Sequence, residues 1–313
     1  MKRDEDKYRF GIYVVMFLFV MLFMASFVSA GFFDWFEKTV TGRASSSPTN
    51  LSITVSGVNP AVIEFVSPIA DVDLASGTTT SVNFSVIMSD ADGVSDLNDT
   101  SVTANFTRAG EATRFNDSCV WVGDLDAVSA NYSCTIDIWY WDEDDVWDIN
   151  VSGRDLGNLS EFYNDSESFN LNTLQSLVIS PASLTWSSIS PNATNQTSNN
   201  DPTVINNTGN WNGTVRVIAI NLLGESDVNY KIPAENFTVG LTTGGGNPEC
   251  GADLMQNGSS VILTNSVANR GNLSLGSGVG QEEIYYCLFQ VPSNLSSQAY
   301  STVTGGSWTI LHA

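Results

Sequence analysis

The stretch WDEDDVWD, Trp141 to Asp148, sets Asp142, Asp144, Asp145 and Asp148 in one short span with Glu143 among them. Carboxylate oxygens are hard ligands of the kind calcium takes in sets of about 6 to 8. Like charges so close repel one another, and the chain is poor in lysine and arginine that could offset them. The loop is therefore a candidate calcium site with those four aspartates as ligands, and a solvated acidic turn is the other reading. A second stretch, DADGVSD, offers Asp90, Asp92 and Asp96. It is not an EF-hand, because the glycine comes too early and Ser101 stands where the closing glutamate would be. It is read as an Asp/Gly turn held by its own backbone hydrogen bonds, with calcium as the alternative.

Other chemistry finds less support. The single histidine, His312, stands beside the last residue, where chain ends fray, so a Ser-His-Asp or Cys-His arrangement has no firm base. Paired carboxylates of the glycosidase kind are available by composition, but spacing alone does not select a pair. No catalytic residue and no bound organic cofactor are expected. In IWYWDEDDVW, Trp139 and Trp141 alternate with Ile138 and Tyr140. On a strand one of these pairs faces the core, and an outward Trp139 and Trp141 would suit stacking on a sugar ring; core packing is the alternative use of the indoles.

The elements that must position these residues begin with a charged head, Lys2 to Arg9, followed by an apolar run from Phe10 to Phe33. Residues 1–30 are expected to be an export signal, cut after Ala30 or retained as a membrane anchor helix, since about 20 apolar residues span a bilayer. Basic residues ahead of the run keep that end in the cytoplasm and send the remainder outside. Residues 31–52 read as an aromatic and Ser/Pro linker. No second apolar run follows, so any tie to the membrane is expected through the N-terminal segment.

The chain carries a formal net charge of −22 although only 15% of its residues are charged. Without a basic patch, nucleic acid is excluded as a partner. Four cysteines, Cys119, Cys134, Cys250 and Cys287, lack any C-x-x-C spacing for zinc and fall in two well-separated pairs. Bridges Cys119 to Cys134 and Cys250 to Cys287 are expected, in keeping with an oxidising compartment.

From about residue 51 onward, short runs alternate apolar and polar residues between Gly, Asn, Asp and Pro breaks. Val82, Phe84, Val86 and Met88 share one face; so do Val102, Ala104 and Phe106; so do Cys134, Ile136, Ile138 and Tyr140; so do Trp147, Ile149 and Val151. The spacing predicts an all-β chain of antiparallel β-sandwiches over residues 53–172 and 174–313. WDINVSGRDLGN, Trp147 to Asn158, resembles the late strand and turn of immunoglobulin-like repeats in microbial surface proteins, with Trp147, Val151, Asp155, Gly157 and Asn158 in place and Gly153 where the repeats carry alanine. SDADGVSDL resembles their early turn. The resemblance covers residues 53 to 172 and implies two immunoglobulin-like domains.

Asn-x-Ser/Thr triplets recur along the chain. Asn83, Asn105 and Asn150 fall on the outward phase of their strands, and Asn158, Asn206 and Asn212 fall in turns; with Asn236 they are the expected glycan sites. INNTGNWNGTV, Ile205 to Val215, reads as a hairpin that resembles those of surface β-sandwich modules. The combination of export signal, tether and triplet-rich sandwiches resembles archaeal surface glycoproteins. It implies an extracellular or cell-surface protein, glycosylated and without catalysis, that meets cell-envelope components, other surface proteins or glycans. The alternatives are an extracellular carbohydrate-binding module, calcium-assisted or not, and an accessory domain of a secreted hydrolase.

Overall fold

A computed structural model describes residues 16–18, 59–159, 167–241, 250, 252–275 and 279–312. Residues 16–18 are helical; the readings of the export signal, of its cleavage and of the linker otherwise lie outside the described residues. Among the described residues no helix is long and apolar enough to cross a membrane.

The compact unit from residue 56 onward is all-β and antiparallel, with two separate hydrophobic cores. In the first lobe the strands are β1 (Val62–Val66), β2 (Thr79–Ser89), β3 (Thr103–Thr107), β4 (Arg114–Asn116), β5 (Val120–Asp124), β6 (Ser129–Trp139), β7 (Asp145–Ser152) and β8 (Ser168–Leu171). One sheet runs β1-β2-β6-β5 and the other β4-β3-β7-β8. β2 and β6 pair over eleven residues, from Thr79 opposite Trp139 to Ser89 opposite Ser129.

The side chains expected inward on β2, β3, β6 and β7 are all buried, because a period of two puts alternate residues on one face of each strand. Phe106 lies between the sheets, 5.5 Å from the Phe84 ring and edge-on to Phe169 at 4.7 Å. Met88 explains the glycine at position 153: a Cβ there would run into its sulfur, so the alanine of the resembling repeats has no room. Cys119 and Cys134 are bridged, which ties the start of β5 to β6. By the chain-entropy account a loop of this size contributes about 3 kcal/mol.

The second lobe contains β9 (Leu177–Ser180), β10 (Thr194–Thr197), β11 (Thr203–Asn207), β12 (Val215–Ile218), β13 (Leu222–Gly224), β14 (Lys231–Ile232), β15 (Phe237–Leu241), β16 (Asp253–Leu254), β17 (Ser260–Ile262), β18 (Gln281–Gln290), β19 (Tyr300–Ser301) and β20 (Thr309–His312). Its largest sheet runs β16-β15-β18-β11-β9, with β10 also on β18. Smaller sheets run β17-β12-β20 and β14-β13-β19. Phe237 sits at the centre of the core between Trp186 at 5.4 Å and Trp308 at 5.1 Å. The second bridge, Cys250 to Cys287, is on β18.

The hairpin expected at Ile205 to Val215 is not formed. β11 pairs with β9 and β18, whereas β12 pairs with β17 and β20, so the stretch crosses from one sheet to another. The tight turns that close two-residue hairpins need a positive φ at one or both central residues. Here the positive-φ positions include none from 206 to 214.

Candidate functional site

The expected calcium ligands Asp142, Asp144, Asp145 and Asp148 do not converge, and arginine takes the place assigned to the ion. Asp142 is fully buried, and Arg114 from β4 grips both its oxygens, with Nε donating to Oδ2 at 2.8 Å and Nη2 donating to Oδ1. The Trp139 amide also donates to Oδ2, at 2.8 Å. Arg108 lies between Asp145 at 3.1 Å and Glu143 at 3.4 Å. The Val146 amide, and then the Arg108 guanidinium, hold the Asp145 carboxyl below the usual carboxylate range. Asp144 accepts a hydrogen bond from the Thr173 hydroxyl, and Asp148 is exposed on β7. The calcium reading assumed that no cation offsets these charges. Two arginines that do so stand in TRAGEATRFN, Thr107 to Asn116, where a run of small residues hid their direction.

A third arginine comes from the second lobe. Arg270 donates to the Trp141 carbonyl at 2.7 Å and to Glu111 Oε1 at 2.7 Å, and it lies 3.3 Å from Glu143. The Leu273 amide donates to the Tyr140 hydroxyl at 3.2 Å. These contacts join the acidic loop of one lobe to the loop before β18 of the other.

The asparagine-rich crossing builds the remainder of this seam. Asn207 and Asn210 are buried, at 0% and 2% exposure, where the sequence pattern predicts a solvated turn. Asn207 Nδ2 donates to the carbonyls of Trp211 at 2.7 Å and Ala268 at 3.0 Å, and its Oδ1 accepts the Gly209 amide. Asn210 Oδ1 accepts the Leu174 amide at 2.6 Å, and its Nδ2 donates to the Asn172 carbonyl at 3.2 Å. Leu174 packs on the first core, so the segment between the expected domains is docked on both. The Gly77 amide donates to the Thr208 carbonyl at 2.9 Å, and Ser76, Ser176 and Thr208 join their hydroxyls. A Cβ on Gly209 would overlap the Leu174 carbonyl, so only glycine lets the two backbones approach.

Replacing Asn210 with alanine strands the Leu174 amide and the Asn172 carbonyl, and each buried unpaired group costs about 1–3 kcal/mol. Urea unfolding is expected to show a loss in that range, while Asn83→Ala, at an exposed position, leaves the midpoint within about 0.5 kcal/mol of the parent.

The two tryptophans do not form a flat platform. Trp139 is 38% exposed, but the Trp141 ring lies over it at 4.7 Å with an interplanar angle of 19°. Trp141 also meets Tyr140 edge-on, and its backbone carbonyl is the one held by Arg270. The indoles stack on each other, so the pair cannot offer two coplanar faces to one sugar.

The expected glycan sites divide by the state of the amide. Asn83, Asn158 and Asn212 are exposed, and their side chains accept through Oδ1, from Thr135, Arg154 and the Arg270 amide respectively. Asn206 is half-buried and accepts from Gln281. Asn105 and Asn150 lie opposite each other on β3 and β7, with Asn150 Nδ2 donating to Asn105 Oδ1 and to Thr107. Asn236 Nδ2 donates to the Gln290 carbonyl at 2.6 Å.

His312 is half-buried in β20 with Nε2 3.1 Å from the Ala268 carbonyl, and burial pushes its imidazole below the usual range. Comparison with known protein families and with curated proteins finds no match. Among solved structures, the chain is similar to the secreted serine protease VesC from Vibrio cholerae at 7% identity and a TM-score of 0.18, over 77% of this chain and 48% of that one. That match spans about half the length of the protease, and a TM-score so low carries no argument about fold or chemistry.

Proposed function

We propose that this chain is an exported, glycosylated surface protein in which two immunoglobulin-like sandwiches, held as one rigid body, act in cell-envelope structure or adhesion without catalysis. The observation that carries this reading is the seam. Asn210, the glycine contact and the Arg270 cluster fix one lobe on the other, as a spacer or stalk needs and a flexible linker would not supply. The strand order of the first lobe supports the immunoglobulin likeness: β1-β2-β6-β5 over β4-β3-β7-β8 matches the A-B-E-D and C′-C-F-G sheets of that fold. The two disulfides support passage through an oxidising compartment. Arg108, Arg114 and Arg270 are all committed to carboxylates, which leaves less positive charge for a polyanionic partner. Cell-envelope components, other surface proteins and glycans are the partners this surface suits, with membrane contact through the N-terminal segment.

Glycopeptide mapping of the protein recovered from the cells that make it tests the reading. Sugar is expected on Asn83, Asn158 and Asn212, whose amide nitrogens face solvent, and absent from Asn150 and Asn236, whose nitrogens hold strands together. Recovery from the cytoplasm with free thiols and bare asparagines throughout would overturn it.

A further inference from the structure

At the other end of the first lobe, where β1 begins and β2 ends, the aspartates of DADGVSD meet the turn that follows β7. One ligand oxygen from each of Asp90, Asp92 and Asp96 lies within 4.8 Å of the others. Two oxygens bound to one calcium ion at 2.3–2.6 Å can be no more than about 5 Å apart, so the three fit a shared ion. Proximity of acids is common on an acidic protein, and it is the burial here that sets this group apart. Asp90 is 1% exposed, and its Oδ2 has no hydrogen-bond partner, while its Oδ1 accepts the Asp92 amide at 2.7 Å.

A fourth carboxylate repeats the pattern from a distant part of the chain. Asp155 is also 1% exposed; its Oδ1 accepts the Leu159 amide at 2.7 Å, and its Oδ2 is buried without a partner. It is brought to the cluster by backbone pairing: residue 155 forms a bridge with Leu97, and the Leu156 amide donates to the Asp96 carbonyl at 2.7 Å. No arginine or lysine makes an ion pair with Asp90, Asp92 or Asp155 among the described residues. An unpaired buried carboxylate is costly unless a cation compensates it.

We propose that Asp90, Asp92 and Asp96 bind one calcium ion, with backbone carbonyls and water completing its shell and Asp155 held by backbone pairing next to the turn that carries them. Calcium suits the set better than magnesium, which demands a near-ideal octahedron at 2.0–2.1 Å and keeps most of its water. The ion would sit in the turn after β2, where backbone bonds hold the turn after β7 and side-chain bonds hold the strand entry. Asn59 supplies the last link, donating its amide to Asp92 Oδ2 at 2.8 Å and its Nδ2 to Oδ1 at 3.0 Å. The site shares no residue with the arginine-filled loop at the seam.

The test uses the full chain at 0.15 M salt. Equilibrium dialysis against radioactive calcium with excess magnesium is expected to give one ion per chain, and calcium at a hundredfold excess over Kd shifts the folding equilibrium about a hundredfold. The unfolding midpoint of the first lobe is then expected to rise by at least about 5 °C over chelator. Asp90→Asn and Asp96→Asn lose both responses, while Asp144→Asn in the seam loop keeps both. The variants need not be equally stable, because stoichiometry is read on the folded protein. No bound calcium in the parent, an equal response to magnesium alone, or binding that survives in Asp90→Asn and Asp96→Asn would overturn the assignment.

Discussion

Arg114→Ala is expected to lower the stability of the first lobe by about 3–5 kcal/mol, the cost of leaving a buried charge unpaired. Asp142 has no exposed surface, and Arg114 supplies two of its three donors, so in the variant the Trp139 amide alone faces a desolvated carboxylate. Arg108→Ala is the internal control. Its partners Asp145 and Glu143 are 65% and 38% exposed, and water replaces the guanidinium at a cost of about 0–1 kcal/mol. Adding Asp142→Asn to Arg114→Ala removes the stranded charge while retaining an acceptor for the Trp139 amide, and is expected to recover part of the loss. Urea unfolding of the three variants reads the result. Equal, small losses for Arg114→Ala and Arg108→Ala would mean that Asp142 is solvated in the folded protein.

The sequence made the strand phases plain and the seam invisible, for a physical reason. Val82 to Met88 and Trp147 to Val151 alternate because one sheet face meets a core, a local rule that needs no knowledge of the partner strand. The cysteine pairs were likewise readable, because each lies within one lobe. Asn207 and Asn210 obey no such rule. A polar residue of this type reads as solvated turn unless the groups it will satisfy are known, and three of those, the Leu174 amide, the Asn172 carbonyl and the Ala268 carbonyl, lie 36, 38 and 61 residues away in the chain. The same limit hid Arg114 and Arg270, whose carboxylate partners lie 28 and 159 residues distant. Calcium was assigned to the densest run of acids, yet density is a poor guide, since exposed acids repel weakly in water. What distinguishes a cation site is buried oxygen without a donor, which at Asp90 and Asp155 appears only once β2 and β7 have been folded together. In that respect the turn read as self-sufficient, DADGVSD, is the less satisfied of the two.

Whether the lobes unfold together bears on the second large expected effect, Trp147→Ala. Trp147 is the largest fully buried side chain, and its Nε1 donates to the Glu143 carbonyl at 3.0 Å, so truncation opens a cavity between the sheets and frees an acceptor in the seam loop. Truncations of this kind cost about 3–5 kcal/mol, which for a lobe of this size lowers the midpoint by roughly 10–20 °C. The second core, built on Phe237, Trp186, Trp308 and Tyr286, shares no side chain with the first. Only the polar seam connects them, and its hydrogen bonds are each worth about 0.5–1.5 kcal/mol. Calorimetry of Trp147→Ala is therefore expected to show the first lobe melting early and the second within a few degrees of its own parent midpoint. The residual coupling measures the seam: in Asn210→Ala combined with Trp147→Ala the second lobe's remaining shift should shrink, because the Arg270 and Gly77 contacts are left to carry it. A single transition moving as one in Trp147→Ala would make the two cores one cooperative unit.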